Sequence, residues 1–158
     1  MDPTAKMRLK DALNEQTVRA KLQVSSWEQA VEEVGKVMVN ATLIAPGYIE
    51  AMKSTIRELG PYSVIAPGIA MPHARPEDGV LQTGFSLVTL AQPVEFGSSE
   101  NDPVDIVIAF SALDKETHLD ALKEISTLLS DSRFVEKVRS AENHQQLIDI
   151  IGAFEAES

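Results

Sequence analysis

The chain has 158 residues and 17.2 kDa, with 44% hydrophobic and 24% charged residues, a length and balance that fit one globular domain and exclude disorder of the whole chain. Fourteen Lys and Arg stand against 24 Asp and Glu, so the formal net charge of −10 disfavours sequence-independent binding to nucleic acid or anionic lipid and suits a basic protein partner. The absence of cysteine excludes disulfides and thiolate chemistry, and no apolar run approaches the roughly 20 residues of a membrane span.

Residues 1–14 are polar and suit a short helix through Leu9 and Leu13. From Val18 to Val24 apolar residues alternate with Arg19, Lys21 and Gln23, the period-two pattern of a half-buried strand. Ser25 and Glu28 have capping-box spacing, which predicts a helix whose buried stripe is Trp27, Ala30, Val31, Val34 and Met38. A second helix is expected from Gly47 to Leu59, with Tyr48, Ala51, Met52, Thr55, Ile56 and Leu59 on one face. Gly60-Pro61 stops it, because proline has no amide to continue the ladder. Two short strands broken by Pro67-Gly68 follow between Tyr62 and Met71.

The segments Gly84–Leu90 and Val104–Phe110 read as strands, the second so apolar that both its faces should be covered. A third long helix is expected at 115–129, with shorter ones at about 132–139 and 143–151. Helices and strands mixed in one small chain predict an α/β fold, a mixed sheet flanked by helices in a single domain spanning 1–158.

No nucleophile elbow, Walker loop or dinucleotide glycine fingerprint is present, so the three histidines are the informative residues. His73 lies in Met71-Pro72-His73-Ala74-Arg75-Pro76, where Pro72 ends an apolar run beside the imidazole. A mostly neutral imidazole near pH 7 keeps one lone pair free, which makes it a competent nucleophile toward phosphorus. A guanidinium such as that of Arg75 suits the oxygens of a transferring phosphoryl group. The alternative on these residues alone is a loop histidine packed by prolines, with Arg75 solvated. His118 follows the candidate N-cap Asp114 and shares a stripe with Leu122, Ile125 and Leu129, so it should face the sheet edge near a helix N-terminus. Such a position favours either a phosphate or a local backbone contact. His144, in line with Leu147, Ile148 and Ile151, has nothing polar converging on it and reads as structural. The H-x-x-x-H spacing of a helical metal site is missing, so no metal is assigned.

These residues also carry a resemblance. Ala45-Pro46-Gly47-Tyr48 with Ala51-Met52, Ile69-Ala70-Met71-Pro72-His73, Thr83-Gly84-Phe85 and the Val104–Leu129 block are similar to the enzyme IIA domains of the mannitol/fructose class of the bacterial phosphoenolpyruvate-dependent sugar phosphotransferase system, over about residues 8–152. Within that class, the 60–68 run, Pro72-His73-Ala74-Arg75-Pro76-Glu77 and Asn101-Asp102-Pro103-Val104-Asp105-Ile106 most resemble the L-ascorbate enzyme IIA.

The resemblance implies that His73 accepts a phosphoryl group from the phosphocarrier HPr and passes it to a cysteine of an enzyme IIB. His118 would orient or hydrogen-bond the phosphohistidine, with no cofactor. It implies a cytoplasmic phosphotransferase component that meets the membrane enzyme IIC only indirectly and binds neither nucleic acid nor membrane. Mannitol-type members carry an arginine where this chain has Thr55, and Arg57 two residues on should point elsewhere. Arg75 is therefore expected to supply the phosphate-binding charge. An enzyme IIA-like module whose phosphorylation state regulates a partner is the other functional expectation.

Overall fold

The computed structural model describes residues 13–157. A five-stranded mixed sheet runs in the order β1-β4-β5-β3-β2, built from β1 (Val18–Leu22), β2 (Val64–Ala66), β3 (Ile69–Ala70), β4 (Gly84–Val94) and β5 (Val104–Ser111). β1 lies parallel to β4 and β3 parallel to β5, whereas the β4–β5 and β2–β3 pairs are antiparallel. Helices α1 (Trp27–Asn40) and α2 (Gly47–Leu59) cover one face. On the other face lie α3 (Lys115–Leu129), α4 (Ser132–Ser140) and α5 (His144–Glu157).

β5 shows why its sequence is almost wholly apolar. Ile106, Ile108 and Phe110 point into the layer under α3–α5, while Val107 and Ala109 pack under α1 and α2. A strand with helices on both faces has no polar face to show. On the α1 side the buried stripe is Ala30, Val31, Val34 and Met38, against Tyr48, Met52 and Ile56 of α2. Each such large side chain contributes about 1.5–3 kcal/mol by leaving water.

Element positions follow the sequence pattern closely, with four differences. β4, expected over Gly84–Leu90, runs on to Val94. The expected strand over Val18–Val24 ends at Leu22. Lys21 takes a φ of +56°, its amide donates to Thr89 Oγ1 at 2.8 Å, and the pairing with β4 shifts register there. The α1 cap falls one residue later than expected. The Ser26 hydroxyl accepts from Gln29 N–H, and the Gln29 side chain reaches back to Ser25 N–H at 2.7 Å, so Gln29 takes the part assigned to Glu28. α5 runs on to Glu157, beyond the expected end near 151. The helix expected over 1–14 lies outside the described residues except for Leu13 and Asn14, which sit in a bend with Leu13 buried.

At the end of the sheet remote from His73, Arg139 of α4 fastens the Pro67-Gly68 turn. Its Nε donates to both Asp105 carboxylate oxygens, at 3.0 and 3.1 Å, and Nη2 donates to Pro67 O at 2.6 Å. Gly68 has φ +77°, and an added Cβ would run into Arg139 Nη2. Gly68→Ala should therefore lower stability by more than the roughly 1 kcal/mol that a left-handed alanine costs. Gly152→Ala, in α5 with no atom within 4 Å of the added Cβ, should be neutral or stabilising by up to about 1 kcal/mol. Urea titration of both variants checks the contrast.

Candidate functional site

Pro72 shapes the site by ending a ladder. β3 pairs with β5 through Ile69↔Ile106 and Ala70↔Val107, and a proline cannot donate the next bond. Carried forward, the same register sets His73 opposite Phe110. The imidazole indeed stacks on the Phe110 ring, with centroids 4.8 Å apart and planes 25° from parallel. Phe110 is itself buried, so the imidazole rests on a fixed apolar floor.

α3 delivers the second imidazole. Asp114 caps this helix, its carboxylate accepting from Thr117 N–H at 2.8 Å and from the Thr117 hydroxyl at 2.6 Å. Those bonds, the side-chain one foremost, hold the Asp114 carboxyl below the usual carboxylate range. His118 then stands in the first turns of α3, its ring 5.4 Å from His73 and 5.0 Å from Phe110, edge-on to both. Two histidines that lie 45 positions apart in the sequence thus share one aromatic floor.

His73 Nδ1 lies 2.9 Å from Met71 O. A carbonyl oxygen can only accept, so Nδ1 carries the proton and Nε2 keeps its lone pair. Burial pushes the His73 pKa below the usual 6.5. The Met71 carbonyl opposes that shift, and the nearby His118 adds to it. The ring is therefore neutral at neutral pH, with one nucleophilic nitrogen.

His73 and His118 open onto a cleft of about 640 Å³, lined on the α2 side by Ser54, Thr55, Glu58 and Leu59 and on the other by Ala74, Arg75 and Asp78. The Thr55 hydroxyl donates to Ala51 O at 2.9 Å. Arg57 turns away as expected, with its guanidinium 5.7 Å from the Trp27 ring and paired to Glu50. Arg75 lines the cleft, yet its Nε is held by Asp78 Oδ2 at 3.3 Å and by Glu77 at 3.6 Å. The structure thus brings His73, His118 and Arg75 to one cleft and leaves the arginine leaning on two carboxylates. His144 is elsewhere: its Nδ1 accepts Ala20 N–H at 2.9 Å, a structural bond joining α5 to β1. Among the described residues, no group of three His, Asp or Glu side chains could hold a metal.

Sequence reasoning alone did not single out Phe110 or the Met71 carbonyl. Phe110 reads as one more apolar residue of a buried strand, and its role emerges only when the β3–β5 register is extended. Tyr48 stands on a helix face and in the Ala45-Pro46-Gly47-Tyr48 motif, and neither gives its hydroxyl a role. The available signal was a hydroxyl in an apolar stripe, which must find partners once buried.

Residues 11–153 match the family described as "Phosphoenolpyruvate-dependent sugar phosphotransferase system, EIIA 2". The chain is 41% identical over 147 residues to the ascorbate-specific phosphotransferase system EIIA component of Escherichia coli K12, covering 92% of this chain and 96% of that protein. Its fold is similar to the solution structure of the mannitol-specific cryptic phosphotransferase enzyme IIA of Escherichia coli, with a TM-score of 0.83, 36% identity and coverage of 93% and 99%. It also shares its fold with the mannitol enzyme IIA solved in complex with phosphorylated enzyme IIB from Escherichia coli, with a TM-score of 0.76, 22% identity and coverage of 89% and 96%.

The Nδ1–Met71 contact sets an expectation that needs no partner protein. Imidazole nitrogen-15 shifts should report His73 protonated at Nδ1 and bare at Nε2 at neutral pH, with a titration midpoint below 6.5. Because the folded value is depressed, the unfolded chain binds more protons between that value and 6.5. His73 therefore costs stability as pH falls through this window and costs none above it. A midpoint at or above 6.5, or an Nε2–H tautomer, contradicts the geometry.

Proposed function

The chain belongs to the EIIA 2 family of the phosphoenolpyruvate-dependent sugar phosphotransferase system, and we propose that within it His73 Nε2 is the atom that carries the phosphoryl group. The observation that carries this reading is the Nδ1–Met71 O contact of 2.9 Å, which puts the proton on Nδ1 and the lone pair on Nε2 of a ring that lines the cleft.

In the first transfer the Nε2 lone pair attacks phosphorus on phosphorylated HPr. The donor's N–P bond breaks, and its electron pair stays on the donor imidazole. No proton has to move, because His73 enters neutral with Nδ1 already protonated. As Nε2 takes the phosphoryl group the ring becomes cationic, and the Nδ1–H bond to Met71 O is then charge-assisted and stronger. In the second transfer a cysteine thiolate of enzyme IIB attacks the same phosphorus. The N–P electron pair returns to Nε2, and the starting tautomer is restored.

His118, edge-on at 5.4 Å, orients the phosphohistidine from the α3 side. Arg75 exchanges its hold on Asp78 and Glu77 for the phosphoryl oxygens. Charge neutralisation and positioning make up most of the catalysis in a transfer of this kind. The open cleft suits a group handed between two proteins in turn, and each encounter has to be brief enough for the partner to leave.

The net charge of −10 favours steering of a basic HPr face. Similarity to ascorbate-specific EIIA components supports L-ascorbate as the transported substrate of the system. Among the described residues no helix is long and apolar enough to cross a membrane, which accords with a component that works in the cytoplasm and reaches enzyme IIC through enzyme IIB.

Incubation with phosphoenolpyruvate, enzyme I and HPr, followed by intact-mass analysis, tests the assignments. The wild type should gain one acid-labile phosphoryl group, His73→Ala none, and His118→Ala one, formed more slowly. Arg75→Ala should slow formation by roughly 100–1,000-fold, the range for loss of one donor that stabilises charge in the transition state. Wild-type chain that takes up no phosphate from active HPr overturns the reading, and a near-normal rate for Arg75→Ala removes that residue from the site.

A further inference from the structure

Tyr48 is fully buried on α2, beneath the loop that presents His73. Its hydroxyl accepts Ala74 N–H at 2.9 Å and has Phe110 O at 3.0 Å and Ala74 O at 3.1 Å as acceptors for its own proton. These are backbone groups of two segments, one just past Pro72 and one near the end of β5. The paired register of β3 and β5 runs from Ile69↔Ile106 to Ala70↔Val107 and stops short of both segments. The hydroxyl takes up the amide on one side and faces a carbonyl on the other, as a spacer where the strand ladder has stopped.

Both segments matter to the imidazole. Ala74 follows His73 in the chain, and Phe110 bears the ring on which His73 and His118 rest. Side-chain direction separates the two tasks. Phe110 lies in the layer under α3–α5, whereas Tyr48 and Ala74 lie in the layer under α1 and α2. The phenol therefore holds the site from beneath and does not enter the cleft, whose lining does not include it.

We propose that Tyr48 is a positioning residue for phosphoryl transfer: by bridging the Ala74 backbone to Phe110 O it sets the height and angle at which the His73 ring lies on Phe110, and so the direction of Nε2 into the cleft. The proposal rests on His73 as the phosphoryl acceptor for its kinetic consequence but not for its structural one. Loss of the hydroxyl leaves a buried amide and carbonyl without this partner, and the two segments then shift relative to each other. In-line transfer tolerates such a shift poorly, since misplacement by about 1 Å can cost on the order of 100-fold in rate. The surface that meets HPr is unchanged, because Tyr48 exposes none of its own.

The test compares Tyr48→Phe with wild type and with Ile56→Val, a buried change on the same helix that does not line the cleft. Tyr48→Phe should lower kcat for phosphoryl acceptance by roughly 10–100-fold, with KM for phosphorylated HPr altered by no more than about twofold. Nitrogen-15 spectra should show its His73 as a mixture of tautomers. Ile56→Val should lower the melting temperature while keeping the wild-type kcat and the single Nδ1–H tautomer. A Tyr48→Phe chain that melts lower but retains both kcat and tautomer overturns the proposal and leaves Tyr48 as packing alone. If wild type itself accepts no phosphoryl group, the phosphocarrier reading fails, and the tautomer of Tyr48→Phe still decides the positioning role. Should Tyr48→Phe not fold, the wild-type chain serves. Phosphorylation of His73 has to move the Tyr48 Cζ carbon-13 resonance, and no movement overturns the proposal.

Discussion

The parallel ladder between β3 and β5 stops after two residue pairs because Pro72 has no N–H to give, and the candidate site depends on where it stops. A longer β3 would carry His73 into the sheet, with its backbone tied to β5 and its ring committed to the core. A ladder that ended sooner would leave His73 on a free loop, with no reason to lie over Phe110. The early stop keeps the register and releases the backbone. The imidazole is therefore aligned with Phe110 as a strand residue would be, while its Nδ1 turns back to the Met71 carbonyl.

That arrangement makes the protonation state a product of the fold. A neutral imidazole with a defined tautomer needs burial to disfavour the cation and an acceptor to hold the proton on one nitrogen. Phe110 supplies the first and Met71 O the second. His118 arrives from the opposite layer on a helix whose start is fixed by Asp114. The charged residues are left for the rim. Glu58, Arg75 and Asp78 all line the cleft, and Arg75 stands paired with acidic neighbours in an exposed ion pair that water screens, which leaves it available to an incoming anion.

Much of this was legible in the sequence, for physical reasons that differ by element. α2 was readable to the residue because its apolar face repeats at helical spacing and Gly60-Pro61 ends it sharply. β5 was readable because burial on both faces removes polar residues. The β1 boundary was not, since alternation continues through Lys21, whose left-handed backbone depends on a hydrogen bond to Thr89 far along the chain. The histidines could be picked out from their neighbours, but their convergence required the β3–β5 register and the landing point of α3. Arg75 illustrates the limit: its charge is plain from sequence, while the carboxylates that hold it belong to a turn whose geometry is set by Pro76 and Gly79.

The strand order has a consequence for how the chain assembles. β4 and β5 are joined by a short connection and can zip together locally, whereas Val18 must find Leu87 across on the order of 70 residues, a closure worth roughly 4 kcal/mol of chain entropy. During synthesis β1 thus leaves the ribosome long before its partner exists, and its hydrogen bonds to Arg139 O of α4 and to His144 of α5 are made later still. The segment made first is the last to be clamped. In pulse-labelling exchange its amides should gain protection after those of β4 and β5, so the histidine-bearing half of the sheet takes shape before the edge strand that completes it.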